Sequence, residues 1–327
     1  MSTEGGNKAV VAALLANTGI AITKFIAFLL TGFSSMLAES IHSLADSGNQ
    51  ALLLIGGKRS QREATEEHPF GYGRERYIYA FVVSIVLFSV GGLFALYEAY
   101  HKFHEIHGGH GDDLFDSKWR YVPLLVLGVA IGLESLSFRT AIVEGNKVRG
   151  EQSWWSYIRK AKSPELPVIL LEDFAALIGL VVAFVAVSLS LITENAYFDV
   201  AGTGFIGALL IVVAVVLGIE IKSLLIGESA SRESISRIRT AIGDTPGVTG
   251  IIHLKTLHTA PEELLVAVKV GVAESSTAAD IASLIDAAER AVREAEPMAQ
   301  NIYVEPDIYR ADYVRADRPE PPVAPSH

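Results

Sequence analysis

A stripe of polar and ionisable residues interrupts the apolar sequence LAESIHSLADSGNQ at residues 37–50. Glu39, His42 and Asp46 are spaced three and four residues apart, so on a helix their side chains project from one side. Ionisable groups at membrane depth each cost roughly 2.5 to 3.5 kcal/mol on insertion scales and usually line a bundle interior or a water-filled path. His42 and Asp46 have the spacing of two ligands of one metal ion. The stripe therefore predicts a metal site, with a buried structural hydrogen-bond network as the alternative.

A second acidic pair, Glu172 and Asp173, interrupts the apolar sequence LLEDFAALIGL. These are the only charged residues between Leu166 and Leu191. Neighbours on a helix point about 100° apart, so we expect one of them to face the metal site and the other to flank it or contact a neighbouring helix. Glu172 is expected to support the site by binding the ion, carrying a proton or pairing with a cation such as Lys24.

The composition indicates a membrane protein with a soluble remainder. Half of the 327 residues are hydrophobic, and the mean hydropathy is +0.35, which is typical of a chain with several membrane-spanning helices. The formal net charge of -10 argues against a nucleic-acid-binding surface, where a basic excess is expected. The absence of cysteine excludes disulfides, thiolate ligands and cysteine nucleophiles. Any metal must therefore be held by nitrogen and oxygen ligands.

Six apolar segments each reach the length of about 20 residues that a bilayer requires. We predict a transmembrane domain over residues 1–229 with helices at about 8–31, 35–57, 76–104, 120–143, 166–192 and 199–226. Lysine and arginine are concentrated in the loops after the second and fourth segments. The positive-inside rule therefore predicts that both termini lie in the cytoplasm.

The composition changes after the sixth segment. The sequence predicts a helix in SRESISRIRTAIG, strands in IIHLKTLH and LLVAVKVGV, a helix in STAADIASLIDAAERAVREAE and a strand in NIYVEPDI. This α-β-β-α-β order over residues 230–310 predicts a small α+β domain with helices on one face of a sheet. The Pro-rich residues 311–327 are predicted to be disordered.

Four features of the sequence occur together. They are His-x-x-x-Asp at His42 and Asp46 within NTGIAITKFIAFLLTGFSSMLAESIHSLADSGNQ, HPFGYGRERY, the acidic fifth segment and LLIGESA after the sixth. Through these features the chain resembles the cation diffusion facilitators over nearly all of residues 8–308. The resemblance implies a bundle of six transmembrane helices with a cytoplasmic ferredoxin-like domain. It further implies homodimers, a metal site shared by helices two and five, and antiport of metal against protons, with no prosthetic group.

The fifth segment departs from the pattern of zinc-type members, which usually carry His-x-x-x-Asp there as well. Asp173 matches the family's aspartate when Gly179, six residues on, takes the small position that follows it. The histidine position is then Ile169, so one ligand is missing. Glu172, a water molecule or Asn17 from the first helix could supply it, and a looser site would be less selective for zinc.

The remaining histidines are weaker candidates. His68 in HPFGYGR is expected to make loop contacts with Tyr72 and Arg74 in preference to binding metal. His253 and His258 are the only histidines of the C-terminal domain, so the binuclear site of some relatives is expected to be absent.

A regular run of histidines precedes the fourth segment and is followed by two aspartates. This run is either a weak site of metal capture on the outer side or a solvated polar loop. Its members are His101, His104, His107, His110, Asp112 and Asp113.

These features predict proton-coupled efflux of a divalent transition-metal cation by an integral protein of the bacterial inner (plasma) membrane. His42, Asp46, Asp173 and Glu172 form the predicted site, and the imidazole favours Zn²⁺ over Mn²⁺. Export of Mn²⁺, Fe²⁺ or Co²⁺ is the first alternative. A membrane metalloenzyme is a remote one, since the chain has no His-Glu-x-x-His motif and no nucleophile elbow. A metal sensor is disfavoured because no output motif is present.

Overall fold

The computed structural model describes the backbone of residues 3–108 and 118–308, with side chains from residue 17 onward. The chain divides after residue 226 into two compact units, Met1–Ile226 and Gly227–His327. His110, Asp112, Asp113 and the tail predicted to be disordered lie outside the described residues.

Within its described residues, the first unit has six long helices and one short one. They are α1 (Thr3–Thr31), α2 (Ser34–Ser60), α3 (Glu75–His107), α4 (Val122–Arg149), the short α5 (Trp154–Lys160), α6 (Glu165–Thr193) and α7 (Tyr197–Ile226). Of these, α3, α4, α6 and α7 are long and apolar enough to cross a membrane. The apolar part of α1 within the residues whose side chains are described, Asn17–Thr31, is shorter, and α2 is less apolar because it carries the polar stripe.

The helix ends follow from local chemistry. Gly32 adopts a φ of 73° between α1 and α2, a left-handed conformation that glycine reaches without a steric penalty. Asp199, at the start of α7, accepts hydrogen bonds from the backbone N–H and the hydroxyl of both Ser34 and Ser35. Because the first N–H groups of a helix have no partner within it, this carboxylate caps α2 and ties it to α7.

A π-helical segment, Leu87–Leu93, interrupts α3 and was not predicted from the sequence. It lies where α3 and α7 approach closely, because a Cβ at Gly92 would stand 2.6 Å from Cγ1 of Ile211. A Cβ at Gly207 would stand 2.9 Å from the backbone nitrogen of Leu96. Glycines on both helices therefore permit the close contact, and π-helical segments of this kind often occur beside functional residues.

The second unit has the predicted α-β-β-α-β order. It comprises α8 (Arg232–Gly243), β1 (Gly250–Ala260), β2 (Glu263–Val272), α9 (Ala278–Ala295) and β3 (Ala299–Ile308). The sheet order is β1-β2-β3, with β1 antiparallel and β3 parallel to β2. Alternate residues of β2, from Leu264 to Val270, are buried together with Ile238 and Ile242 of α8 and with Val292 of α9. The predicted α+β fold is confirmed.

Two polar features fix this second unit locally. Thr277 and Asp280 form a capping box at the start of α9, and the hydrogen bonds from Thr277 lower the pKa of the Asp280 carboxyl. Lys269 of β2 lies 2.9 Å from Asp307 and 3.0 Å from Glu305 of β3. These contacts raise the pKa of Lys269 well above its usual range, so the lysine remains charged and ties the parallel pair together.

Candidate metal site

A small polar cavity of about 40 Å³ lies between helices of the membrane unit. This volume has room for a few water-sized species. Four carboxylates line it, contributed by Asp46 of α2, Glu134 of α4, and Glu172 and Asp173 of α6. The other lining residues are Asn17, Ile20, Ser43, Gln50, Ser137 and Ile169. A polar cavity with four carboxylates between apolar helices is suited to a cation.

Both acids of α6 reach the cavity, although we expected only one of them to face it. Glu172 accepts a hydrogen bond of 2.7 Å from Nδ2 of Asn49 in α2, and Asp173 accepts one of 3.0 Å from Oγ of Ser137 in α4. The two side chains diverge as adjacent helical residues must, but each is held by a different neighbouring helix. The cavity lies between those neighbours, so both carboxylates line it.

His42 lies beside the cavity and is not among its lining residues. Its side chain is almost fully buried, with its Nδ1 atom 3.5 Å from Oδ1 of Asp46. Nδ1 also lies 3.9 Å from the position that a Cβ of Gly91 would take, so the ring packs against the π-helical segment of α3. Among the described residues, neither ring nitrogen has a hydrogen-bond partner. Buried polar atoms rarely lack partners, so this imidazole is available to a ligand.

Glu39 faces α1 and not the cavity. Its Oε2 atom lies 3.0 Å from Nζ of Lys24, in an ion pair whose side chains are 0% and 3% exposed, respectively. Nζ also donates to Oγ of Ser43 at 2.8 Å. The suggested pairing of Lys24 with Glu172 is therefore wrong, because Lys24 is engaged by α2 and Glu172 by Asn49.

The accessory candidates have different environments. Asn17 lines the cavity and donates to Oε1 of Gln50 at 3.4 Å. His68 is exposed and stacks on Tyr72, with 4.6 Å between ring centroids, and Thr65 donates its backbone N–H to the His68 carbonyl. The contact with Tyr72 agrees with the prediction that His68 makes loop contacts.

The described part of the histidine run lies on the exposed last turns of α3. Its rings pack on aromatic neighbours one turn earlier, with centroid distances of 6.1 Å for Tyr97 and His101 and 4.2 Å for Tyr100 and His104. His107 packs in the same way on Phe103 at 6.1 Å. Each described histidine of the run thus has an aromatic packing partner on α3.

In the conformation described, the candidate ligands share a cavity without converging. Within the described ranges, no three histidine, aspartate or glutamate side chains come close enough together to hold an ion. The donor set of imidazole nitrogen and carboxylate oxygens nonetheless fits a divalent transition metal. Binding an ion there requires side-chain movement, in particular of His42 toward Asp46 and the cavity.

Glu134 and Ser137 were missed in the sequence analysis. Glu134 is the first ionisable residue of α4 and stands alone in the apolar run VPLLVLGVAIGLESLSF. The criterion that selected Glu172 and Asp173, a charge in an apolar helix, selects Glu134 equally well. Ser137 carried no such signal, because a hydroxyl in a membrane helix commonly bonds to its own backbone.

A bundle of long apolar helices around a carboxylate-lined cavity, with a separate small α+β unit, defines a membrane protein of the cation-transporter class. Residues 10–226 match the cation efflux transmembrane domain, and residues 230–308 match the cation efflux protein cytoplasmic domain. The chain therefore belongs to the cation efflux family, as its resemblance to the cation diffusion facilitators predicted. This is a family of transporters and not of enzymes, which removes the metalloenzyme alternative.

The chain is similar to several metal transporters along most of its length. It is 30% identical over 252 residues to the human mitochondrial proton-coupled zinc antiporter SLC30A9, covering 77% of this chain and 43% of that protein. It is 31% identical over 255 residues to the Xenopus laevis protein of that name, covering 78% and 44%. It is 25% identical over 240 residues to metal tolerance protein C4 of Arabidopsis thaliana, covering 73% and 51%. The chain thus spans about half the length of these relatives.

Proposed function

We propose that this protein exports a divalent transition-metal cation, Zn²⁺ in the first instance, across a membrane in exchange for protons. The observation that carries the proposal is the cavity lined by Asp46, Glu172 and Asp173, beside the His42 imidazole, whose ring nitrogens have no hydrogen-bond partner in the part of the chain that the structure describes. Family membership supports transport, and similarity to the proton-coupled zinc antiporter SLC30A9 supports zinc and proton coupling.

The ligand chemistry supports exchange with protons. A carboxylate or an imidazole binds a metal ion only after losing its proton, so metal and protons compete for the same atoms. An inward proton gradient would then drive the metal outward. Mn²⁺, Fe²⁺ or Co²⁺ is the alternative cargo, and the carboxylates of the cavity favour harder ions more than His42 does.

We further infer that the cavity communicates with the cytoplasmic side. Its lining along α2 runs from Ser43 to Gln50, and Gln50 lies toward the end of α2 that carries Lys58 and Arg59. In the other direction along α2, the buried ion pair of Glu39 and Lys24 lies about two helical turns from Asp46. With the positive-inside rule, this arrangement supports cytoplasmic termini. The bacterial plasma membrane stays a prediction.

Purified protein in sealed proteoliposomes tests this function. With zinc and a zinc-sensitive dye on opposite sides, an imposed pH gradient should drive zinc across the membrane, and collapsing the gradient should stop net movement. Parallel assays with Mn²⁺, Fe²⁺ and Co²⁺ rank the cargo ions. Absence of ion flux under every gradient, together with absence of binding in detergent, would contradict the proposal.

The two acids of α6 are expected to contribute unequally. Asp173→Ala should remove measurable metal binding at the membrane site, because it deletes the ligand that matches the family's aspartate. Glu172→Gln should weaken binding by only about tenfold, the scale of a supporting residue around a metal. Equilibrium binding of zinc in detergent measures both, with Glu194→Gln at the exposed end of α6 as the control. If the ranks of the two variants are reversed, Glu172 is the direct ligand.

We propose that the protein is a homodimer whose assembly needs no metal. The match of residues 230–308 to the family's cytoplasmic domain and the presence of only two histidines in that range support this. Light scattering of the full chain in detergent with a chelator should give the mass of a dimer, and adding zinc should leave it unchanged. A monomer that dimerises only with zinc would overturn the expectation, and His253→Ala would then test whether that histidine is responsible.

A further inference from the structure

Glu134 occupies an unusual position for an acid. It lies twelve residues after the start of α4, about 18 Å along the helix, and only apolar residues and glycine precede it there. Among the described residues it has no hydrogen bond and no ion pair. An uncompensated carboxylate at this depth is costly and usually indicates function.

The cavity supplies the reason for this position. Glu134 shares the cavity with Asp46, Glu172 and Asp173, so α4 contributes an oxygen donor in addition to those of α2 and α6. Ser137, one turn further along α4, donates to Asp173 at 3.0 Å. This bond holds α4 against α6 at the level of the cavity and keeps the Glu134 carboxylate near the other acids.

The candidate metal site lacks one protein ligand, and Glu134 can supply it. Ile169 lines the cavity, and its side chain offers no donor atom. In the alignment that the resemblance to the cation diffusion facilitators implies, this is the position at which zinc-type members usually have a histidine. A divalent ion bound by His42, Asp46 and Asp173 alone would have three protein ligands. We infer that Glu134 is a direct ligand of the transported ion and replaces the missing donor, an inference that rests on the proposed function.

A glutamate ligand in place of a histidine should change which ion the site prefers. A carboxylate is a harder ligand than an imidazole, so replacing a histidine donor by Glu134 improves binding of Mn²⁺ relative to Zn²⁺. Glu134 is then a specificity-determining residue as well as a ligand. Removing its charge should lower affinity for both ions and lower it more for Mn²⁺.

The test is equilibrium binding of Zn²⁺ and Mn²⁺ to the full chain in detergent, comparing wild type with Glu134→Gln. We expect at least a tenfold loss of Zn²⁺ affinity and a larger loss for Mn²⁺. Glu144→Gln is the matched control, because Glu144 lies on the same helix in an exposed pair with Lys147 and should change neither affinity. Glu134→Asp keeps the charge and should give intermediate values for both ions.

The visible absorption of bound Co²⁺ separates ligation from a merely structural role. Loss of a direct ligand changes the geometry and the spectrum, so Glu134→Gln should alter the Co²⁺ bands and Glu144→Gln should not. Wild-type affinities, an unchanged ion ratio and an unchanged spectrum in Glu134→Gln would overturn this inference alone. If the wild-type protein bound none of the three ions, the proposed function itself would fail. Should Glu134→Gln not fold, the affinities and spectrum of Glu134→Asp decide the question.

Discussion

Asp46→Asn is expected to reduce metal transport by about two orders of magnitude or more while leaving the protein folded. An amide oxygen is a much poorer metal ligand than a carboxylate, and loss of a direct ligand should cost at least as much as the tenfold to hundredfold typical of supporting residues. Asp46 faces the cavity, and its Oδ1 atom has no hydrogen-bond partner among the described residues. We therefore expect that its charge is not needed for packing in the metal-free state, although Oδ1 lies 3.5 Å from Nδ1 of His42.

Stability and function should separate clearly in this variant. Asp46 shares the cavity with three other carboxylates, so removing its charge relieves repulsion and should leave metal-free stability unchanged or raised. Zinc at about 100 times its Kd stabilises a binding protein by roughly 2.7 kcal/mol, and Asp46→Asn should lose this protection. Thermal unfolding with and without zinc, beside flux in proteoliposomes, measures both effects.

The control for Asp46→Asn is Asp286→Asn on the exposed face of α9, for which flux and zinc protection should match the wild type. Near-normal zinc flux in Asp46→Asn would remove Asp46 from the ligand set. A variant that is inactive and also much less stable without metal would show instead that the carboxylate has a structural role, which is the hydrogen-bond-network interpretation of the stripe.

The polar stripe illustrates how far a sequence can predict a site. Helical spacing correctly indicates that Glu39, His42 and Asp46 share one side of α2. It does not indicate which helix covers each turn of that side. In the structure α1 pairs with Glu39, the π-helical segment of α3 packs against His42, and Asp46 faces the cavity. One stripe therefore has three different surroundings, which only the packing of the bundle determines.

The helices, the strands and their order were predictable because each depends on local chemistry. The apolar lengths, the Thr277 cap and the alternation in β2 are all properties of consecutive residues. The π-helical segment of α3 lies against Gly207 and Ile211 of α7, more than a hundred residues away, and no local pattern in the sequence indicates it. Glu134 is an intermediate case. Its charge within an apolar run is visible in the local sequence, but the residues that share its cavity belong to other helices.

The buried ion pair of Lys24 and Glu39 leads to the second large effect. We expect Glu39→Gln to destabilise the metal-free protein by about 3 to 5 kcal/mol, because it leaves an ammonium group buried without its counter-charge. Lys24→Met should cost a similar amount by leaving the carboxylate unpaired. The double variant removes both charges and should be more stable than either single variant, giving a strong coupling energy.

Thermal unfolding in detergent with a chelator measures these variants without interference from metal binding. Lys147→Met is the control, since its exposed pair with Glu144 should be worth no more than about 1 kcal/mol. If Glu39→Gln is as mild as the control, the two charges are not held together in the dry interior.

Gly179 gives an independent test of the same pair, because the pair needs space as well as charge. A Cβ at Gly179 would stand 2.8 Å from Oε1 of Glu39, closer than side-chain atoms normally approach. Gly179→Ala should therefore displace the Glu39 carboxylate from Lys24 and destabilise the metal-free protein, although alanine is the better helix former by about 1 kcal/mol. Gly132→Ala in α4 meets no atom within 4 Å and should show only the favourable propensity. A stabilised Gly179→Ala would mean that Glu39 can move away freely. Gly179 would then still help to align this chain with its family, but it would not be required for the packing of Lys24 against Glu39.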